Sequence, residues 1–226
     1  MRRWVDLPPD MEARLRAGHA EAGTAVLVSG HVGGWELLLG LPSLFDGLPS
    51  IAFLAEPMEF GGLNRFLERV RGSGGGTSVY REGGARAMYR HVEAGGAAAL
   101  LVDRNVRGSQ GGIWSPFLGL RASTTPLPAR LALRANVHLL PVLCLPAEGG
   151  RYRIWLGPNV NRDLSHEDPE AAVQELTDRV NRILEREIRA RPEIWNWTLK
   201  RFKSRPTRER GPYPTYSRWD DGSAWT

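Results

Sequence analysis

Several features that define large classes of protein are absent from this sequence. Its 226 residues include a single cysteine, Cys144, which excludes a disulfide framework and a cysteine-based metal cluster. The longest apolar stretches, residues 97–102 and 139–145, are far shorter than the roughly 18 residues that a membrane span needs. The N-terminus lacks the apolar centre of a signal peptide. These absences predict a cytoplasmic protein with no membrane-spanning helix.

Sequence motifs of several catalytic classes are missing as well. There is no G-x-S-x-G sequence, no Walker A motif and no H-E-x-x-H sequence. The glycines between positions 72 and 76 lack the spacing of a dinucleotide-binding loop. We therefore expect neither a metal site nor a bound cofactor.

The composition is that of an ordinary globular protein with a modest excess of positive charge. Apolar residues make up 42% of the chain and charged residues 24%. The 30 Lys and Arg residues against 25 Asp and Glu residues give a net charge of +5. This excess favours an anionic partner, which could be nucleic acid, acidic lipid headgroups or an acidic carrier protein.

Apolar runs of strand length alternate with stretches of helical periodicity. This alternation predicts a single α/β domain with a mixed, mostly parallel sheet flanked by helices. The predicted strands are residues 24–28, 50–54, 77–80, 97–102, 138–145 and 152–156. The predicted helices begin near Trp35 and span residues 60–71, 85–93, 126–134 and 169–190. We expect a helical lead-in over residues 1–23, the main domain over residues 24–205 and an irregular tail over residues 206–226.

One of the five histidines, His31, lies in a setting that predicts chemistry. It follows the first predicted strand directly, so we expect it at the carboxyl edge of the sheet, where open α/β proteins bind ligands. Glu36 lies in the first turn of the next predicted helix. If the loop folds back, Glu36 can bond one imidazole nitrogen and leave the other to take a proton from a hydroxyl. The alternative is that His31 caps the helix and Glu36 is a solvated acid.

The sequence around His31 resembles that of a known enzyme superfamily. SGHVGGWE at positions 29–36 resembles the H-x4-D/E block of the lysophospholipid acyltransferases, and its ending resembles the lipid A biosynthesis (lauroyl/myristoyl) branch. Further blocks resemble that branch in the same order: REGGAR at 81–86, LVDRN at 101–105, GGIWSPFLG at 111–119, TPLPARLA at 125–132, LPV at 140–142 and WNWTLKRFK at 195–203. Because the blocks span most of the chain in order, the resemblance is far more specific than any single motif.

The resemblance implies an O-acyltransferase with the family's α/β fold. The donor would be a thioester on acyl carrier protein or coenzyme A, and the acceptor a hydroxyl of a lipid or glycolipid. It implies His31 as general base oriented by Glu36. The N–H groups of the turn at Gly33 and Gly34 would stabilise the oxyanion, with charge from Arg81 or Arg104.

Two further residues of the LVDRN block, Asp103 and Asn105, also become candidates. Asp103 is either a turn-forming residue or, by resemblance, a residue that orients His31 or binds the acceptor. Asn105 would assist at the same site. No cofactor is implied beyond the acyl-thioester co-substrate.

The C-terminal block combines aromatic and basic side chains. Trp195, Trp197, Lys200, Arg201 and Lys203 suit contact with an anionic membrane or a carrier protein, which would place the enzyme peripherally on the inner face of the cell membrane. One alternative is that the tryptophans pack into the core while the cations stay solvated. Nucleic acid is the least favoured partner, because no binding motif accompanies this single basic segment.

Two other functions remain open at this stage. The same base could activate water, which would make the protein a thioester hydrolase. The chain could also be a catalytically silent module that binds lipid or carrier. Acyl chain length, donor, acceptor and oligomeric state are not determined by these patterns.

Overall fold

The computed structural model describes residues 3–13, 24–44, 49–55, 60–73, 75–80, 83–206, 209, 212 and 213, with only the backbone described at Val70. Most of the expected lead-in and tail therefore lies outside the described residues, as does Arg81. The expected boundaries of the main domain stay a prediction.

The architecture is the predicted single α/β domain, built on a seven-stranded, mostly parallel sheet. The strands are β1 (Val5–Asp6), β2 (Ala25–Ser29), β3 (Ile51–Ala55), β4 (Gly76–Tyr80), β5 (Ala97–Leu101), β6 (Ile113–Phe117), β7 (Leu120–Thr124), β8 (His138–Pro146) and β9 (Tyr152–Leu156). Seven of them form the sheet in the order β1-β9-β8-β2-β5-β3-β4. All neighbours in it are parallel except β8 and β9. The six strands predicted from sequence are all present.

The helices cover the two faces of this sheet. They are α1 (Gly61–Ser73), α2 (Gly84–Glu93), α3 (Leu127–Ala135) and α4 (Pro169–Ala190), and Trp35–Leu44 forms a 3-10 helix. The start of α4 follows its sequence signals, because the Asp168 carboxylate accepts the N–H of Glu170 and Pro169 occupies the first turn. Within the described residues, no helix combines the length and the apolar character that crossing a bilayer requires.

The central strands are buried on both faces, as their nearly continuous apolar sequences predict. On one face, Val26 and Leu100 pack with side chains of α2, α3 and α4. On the other, Leu27 and Phe53 pack with leucines of the 3-10 helix. The core therefore consists of two apolar layers separated by the sheet.

Two elements differ from the sequence-based expectation. Strands β6 and β7 form an antiparallel hairpin with the two-residue turn Leu118-Gly119, both residues having positive φ. The sequence does not predict this hairpin, because proline is disfavoured within strands and leucine is disfavoured at a turn position with positive φ. The expected helical lead-in also contains a strand, because Val5–Asp6 pairs with Tyr152 and Arg153 of β9.

The parallel register of β2 and β5 positions the loops that follow them. Ser29, the last residue of β2, lies opposite Leu101, the last residue of β5. The pairing continues with the N–H of Val102 donating to the carbonyl of Ser29 at 3.0 Å. The residues two positions beyond each strand end, His31 and Asp103, are therefore brought together at the carboxyl edge of the sheet.

Candidate active site

The imidazole of His31 is bonded to the carboxylate of Asp103. The distance from His31 Nδ1 to Asp103 Oδ1 is 2.8 Å, and the backbone N–H of His31 donates to Asp103 Oδ2 at 2.7 Å. Asp103 is completely buried, whereas the side chain of His31 retains 16% of its exposure. The carboxylate therefore holds both the ring and the backbone of His31 from the protein interior.

A third donor to this carboxylate comes from the C-terminal part of the chain. The indole N–H of Trp195 donates to Asp103 Oδ2 at 2.8 Å. Trp195 is held against the His31 loop by backbone bonds, from the N–H of Gly33 to the carbonyl of Ile194 at 2.7 Å and from the N–H of Asn196 to the carbonyl of His31 at 3.0 Å. We refer to His31, Asp103 and Trp195 as the buried cluster.

The donors around Asp103 keep its carboxyl group ionised. Burial by itself raises the pKa of Asp103, but the bonds and charge of His31 and the bond from Trp195 outweigh it, so that the pKa lies below its ordinary value. The ionised form therefore contributes stability that is present above about pH 4 and is lost as the pH falls through the folded-state pKa.

An ionised Asp103 determines which nitrogen of His31 is available for chemistry. A carboxylate only accepts hydrogen bonds, so Nδ1 of His31 carries the proton in this contact. In the neutral imidazole, Nε2 is then the basic nitrogen. This is the arrangement of a general base held in one tautomer by a buried acid.

His31 lines a large apolar cavity. The cavity has a volume of about 840 Å³ and is bordered by His31, Trp35 and the start of α3. Its walls are mainly aliphatic and aromatic: Leu27, Leu38, Leu41, Phe53, Leu100 and Val142 are among them. Three arginines, Arg71, Arg104 and Arg130, also line it. The cavity can thus accommodate a long apolar group next to a base, with cations at its margin.

The structure does not place Glu36 where we expected it. Its side chain is 54% exposed, and its carboxylate lies 3.7 Å from the guanidinium of Arg71. Among the described contacts it makes none with His31, whose Nδ1 is bonded to Asp103 instead. The 3-10 helix carries Glu36 to the rim of the cavity rather than back towards the imidazole. We refer to Glu36 and Arg71 as the rim pair.

The turn glycines also have a role other than the one we expected. The N–H of Gly33 is bonded to Ile194, and that of Gly34 to the carbonyl of Cys144 at 2.9 Å, so neither serves as an oxyanion donor here. Gly33 has φ +57°, and a Cβ on it would overlap the Cys144 carbonyl. Gly33 is therefore needed because the His31 loop packs closely against β8, and a Cβ on Gly34 would overlap the ring of Tyr152 in β9.

Of the other expected auxiliary residues, Arg104 lines the cavity and Asn105 does not. The amide of Asn105 is used in tying the C-terminal segment to the Asp103 loop. Its Nδ2 donates to Ser204 Oγ at 3.0 Å, and its Oδ1 accepts the N–H of Ser204 at 2.9 Å. Asn105 therefore joins two segments of the chain, and its role in binding substrate stays a prediction.

The prediction of a membrane or carrier contact is wrong for two residues of the C-terminal block. Trp195 is only 4% exposed and Arg201 is completely buried. Trp197 and Lys200 are exposed and Lys203 is half-buried, so for these three the contact stays a prediction. The alternative in which a tryptophan packs into the core holds for Trp195.

The sequence predicted that Arg201 is exposed, whereas its side chain is buried. Its guanidinium donates to the carbonyl oxygens of Ser123 at 2.6 Å and Arg104 at 3.2 Å and to Thr124 Oγ1 at 2.6 Å. Burial lowers the pKa of Arg201 to about 10, against the opposing effect of the Asp103 charge. The side chain is thus still a cation at neutral pH, and it anchors the residue that follows Asp103.

The buried cysteine behind the His31 loop is not an activated nucleophile. Burial raises the pKa of the Cys144 thiol to about 12, so it is protonated at neutral pH. In the part of the chain that the structure describes, no group of three His, Cys, Asp or Glu side chains is arranged to hold a metal ion.

The comparison with protein families agrees with this geometry. The family model described as bacterial lipid A biosynthesis acyltransferase matches residues 2–204, which is most of the chain. No curated protein matches the chain significantly. With a buried acid–base pair at the carboxyl edge of the sheet and a family match of this extent, the chain belongs to the bacterial lipid A biosynthesis acyltransferases.

Proposed function

We propose that this acyltransferase moves a fatty acyl group from a thioester, on acyl carrier protein or coenzyme A, to a hydroxyl of a lipid or glycolipid. His31 is the general base, and Asp103 rather than Glu36 orients it. The observation that carries the proposal is the 2.8 Å contact between His31 Nδ1 and the buried Asp103 carboxylate, beside an apolar cavity that His31 lines.

The proposed reaction begins with proton transfer to His31. Nε2 takes the proton of the acceptor hydroxyl as its oxygen attacks the thioester carbonyl carbon. The tetrahedral intermediate then collapses, the carbon–sulfur bond breaks, and the leaving thiolate takes the proton back from the imidazolium. The Asp103 carboxylate stabilises the imidazolium that forms between these steps.

The charge on the intermediate's oxygen needs a positive partner. The N–H groups of His31, Gly33 and Gly34 are bonded elsewhere. Arg104 follows Asp103 directly and lines the cavity, so we assign it the role of stabilising this oxyanion. The donor's acyl chain would lie along the leucine-lined wall, because burial of apolar surface favours that position.

The proposed location is peripheral, on the inner face of the cell membrane. Its basis is the water-insoluble acceptor and the net charge of +5, which attracts the chain to anionic lipid. Carrier protein and coenzyme A are both anionic donors, so the positive charge does not choose between them.

The test is an assay of purified protein with acyl carrier protein and coenzyme A thioesters, with and without lipid acceptors, read by mass spectrometry. We expect an acylated lipid and thiol release that depends on the acceptor. His31→Gln should abolish both and leave the circular dichroism spectrum unchanged. Thiol release at the same rate with and without every acceptor would instead identify a thioester hydrolase. Normal transfer by a folded His31→Gln protein would show that His31 is not the general base.

A further inference from the structure

An exposed apolar stripe lies along α1. Phe60, which precedes the helix, is 74% exposed, Leu63 is 39% exposed and Phe66 is 58% exposed. The carbonyl of Phe60 accepts the N–H of Asn64 at 3.0 Å, so Phe60 continues the helical path. Side chains three positions apart are neighbours on a helix surface, so these residues form one continuous patch, which we call the α1 stripe.

Positive charge borders the α1 stripe. Arg65 and Arg69 are exposed on the same helix, and Arg69 lies three positions beyond Phe66. Exposed aromatic and aliphatic side chains flanked by arginine are typical of helices that lie in the interface of a bilayer with anionic lipids. An acidic protein partner would account for the arginines but would leave two phenylalanines without a reason to be exposed.

The helix also lies beside the catalytic cavity. It packs against the edge strand β4 and approaches the 3-10 helix that carries Trp35. Its Arg71 lines the cavity and forms the rim pair with Glu36. A bilayer in contact with the α1 stripe would therefore lie at the rim of the cavity that His31 lines.

We propose that the α1 stripe, with Arg65 and Arg69, is the surface by which the protein docks on an anionic bilayer. The inference rests on the proposed function, since it gives the lipid acceptor a short path to His31. It moves the membrane contact away from the C-terminal block, where Trp195 and Arg201 are buried.

The experiment is flotation of the purified protein with vesicles of phosphatidylcholine, with and without phosphatidylglycerol. We expect the wild-type protein to bind the mixed vesicles more tightly. The double variant Phe60→Ser/Phe66→Ser should bind both kinds roughly tenfold or more weakly, because it loses two aromatic side chains that the bilayer would bury. Arg65→Gln/Arg69→Gln should lose mainly the preference for phosphatidylglycerol, by roughly tenfold.

The matched control is Trp197→Ser, which removes an aromatic side chain that is 57% exposed in the C-terminal block. It should bind vesicles as the wild-type protein does. Binding that is lost in this variant and retained in Phe60→Ser/Phe66→Ser would overturn the proposal. Thermal unfolding of each variant checks that it folds.

Two other results would assign the α1 stripe to a different partner. If the phenylalanine variant keeps its vesicle binding but loses binding to purified acyl carrier protein, the stripe is a carrier site. If sedimentation shows a wild-type dimer that the variant lacks, the stripe is covered by a second copy. Failure of the proposed function would look different, because no wild-type transfer to any acceptor would occur while the vesicle results stood.

Discussion

Two carboxylates lie near His31, and they differ in almost every physical respect. Glu36 is five residues away in the sequence, is half exposed and forms the rim pair with Arg71 at 3.7 Å. Asp103 is 72 residues away, is completely buried and accepts three hydrogen bonds within the buried cluster. Closeness along the chain therefore does not identify the carboxylate that is bonded to this imidazole. Parallel strand register brought the distant carboxylate to the imidazole.

The largest effect should come from Asp103→Asn. In one orientation, the amide NH₂ of asparagine faces the N–H donors of His31 and Trp195 and cannot accept from them. In the other, it donates to Nδ1 and holds His31 in the tautomer with a protonated Nε2. We expect kcat to fall by about 10³- to 10⁴-fold with the fold retained, as steady-state kinetics and circular dichroism would show. A folded Asp103→Asn protein with kcat within about tenfold of wild type would remove the orienting role.

Arg201→Met tests how much the buried guanidinium near Asp103 contributes to the stability of the protein. The change removes the short hydrogen bonds from the guanidinium to the carbonyl of Ser123 and to the hydroxyl of Thr124, both at 2.6 Å. It also removes the buried positive charge that interacts with Asp103. We expect the free energy of unfolding to fall by about 3–5 kcal/mol in urea titrations.

The matched control is Arg189→Met, which breaks the surface ion pair with Glu185 at 2.7 Å, where Arg189 is 58% exposed. That loss should be at most about 1 kcal/mol. Equal losses in the two variants would show that Arg201 is no more important to stability than a surface arginine.

Glu36→Gln should have the smallest effect. An exposed ion pair of this length contributes little, and the glutamine keeps the size of the side chain. We expect kcat to change by less than about threefold and the free energy of unfolding by less than about 0.5 kcal/mol. A loss of kcat as large as that of Asp103→Asn would reverse the comparison and return the orienting role to Glu36.

Much of the fold was predictable from sequence because its signals are local. The apolar runs of β2, β5 and β8 and the capped, periodic α4 appear where they were expected. The β6–β7 hairpin was missed because Pro116 interrupts its pattern and its turn places Leu118 at φ +51°, which local propensity disfavours.

The candidate site was predictable in part. Its position after the first long strand identified His31, and Asp103 was a candidate because it follows β5 in the same way. The strand order could have raised Asp103 above Glu36, since β2 and β5 are neighbours. The burial of Trp195 and Arg201 could not be predicted, because the same aromatic and basic residue types occur both at membrane surfaces and in protein cores.

The sequence by itself determined the family, the α/β class and the choice of His31 as the candidate base, because each is carried by residue types at short, fixed spacings. Only the tertiary structure decided the partners of that histidine. The carboxylate of Asp103 and the indole of Trp195 meet beneath the His31 loop. The guanidinium of Arg201 holds the carbonyl of Arg104, the residue that follows Asp103. Burial and strand register, which join residues far apart in the chain, are properties of the assembled sheet.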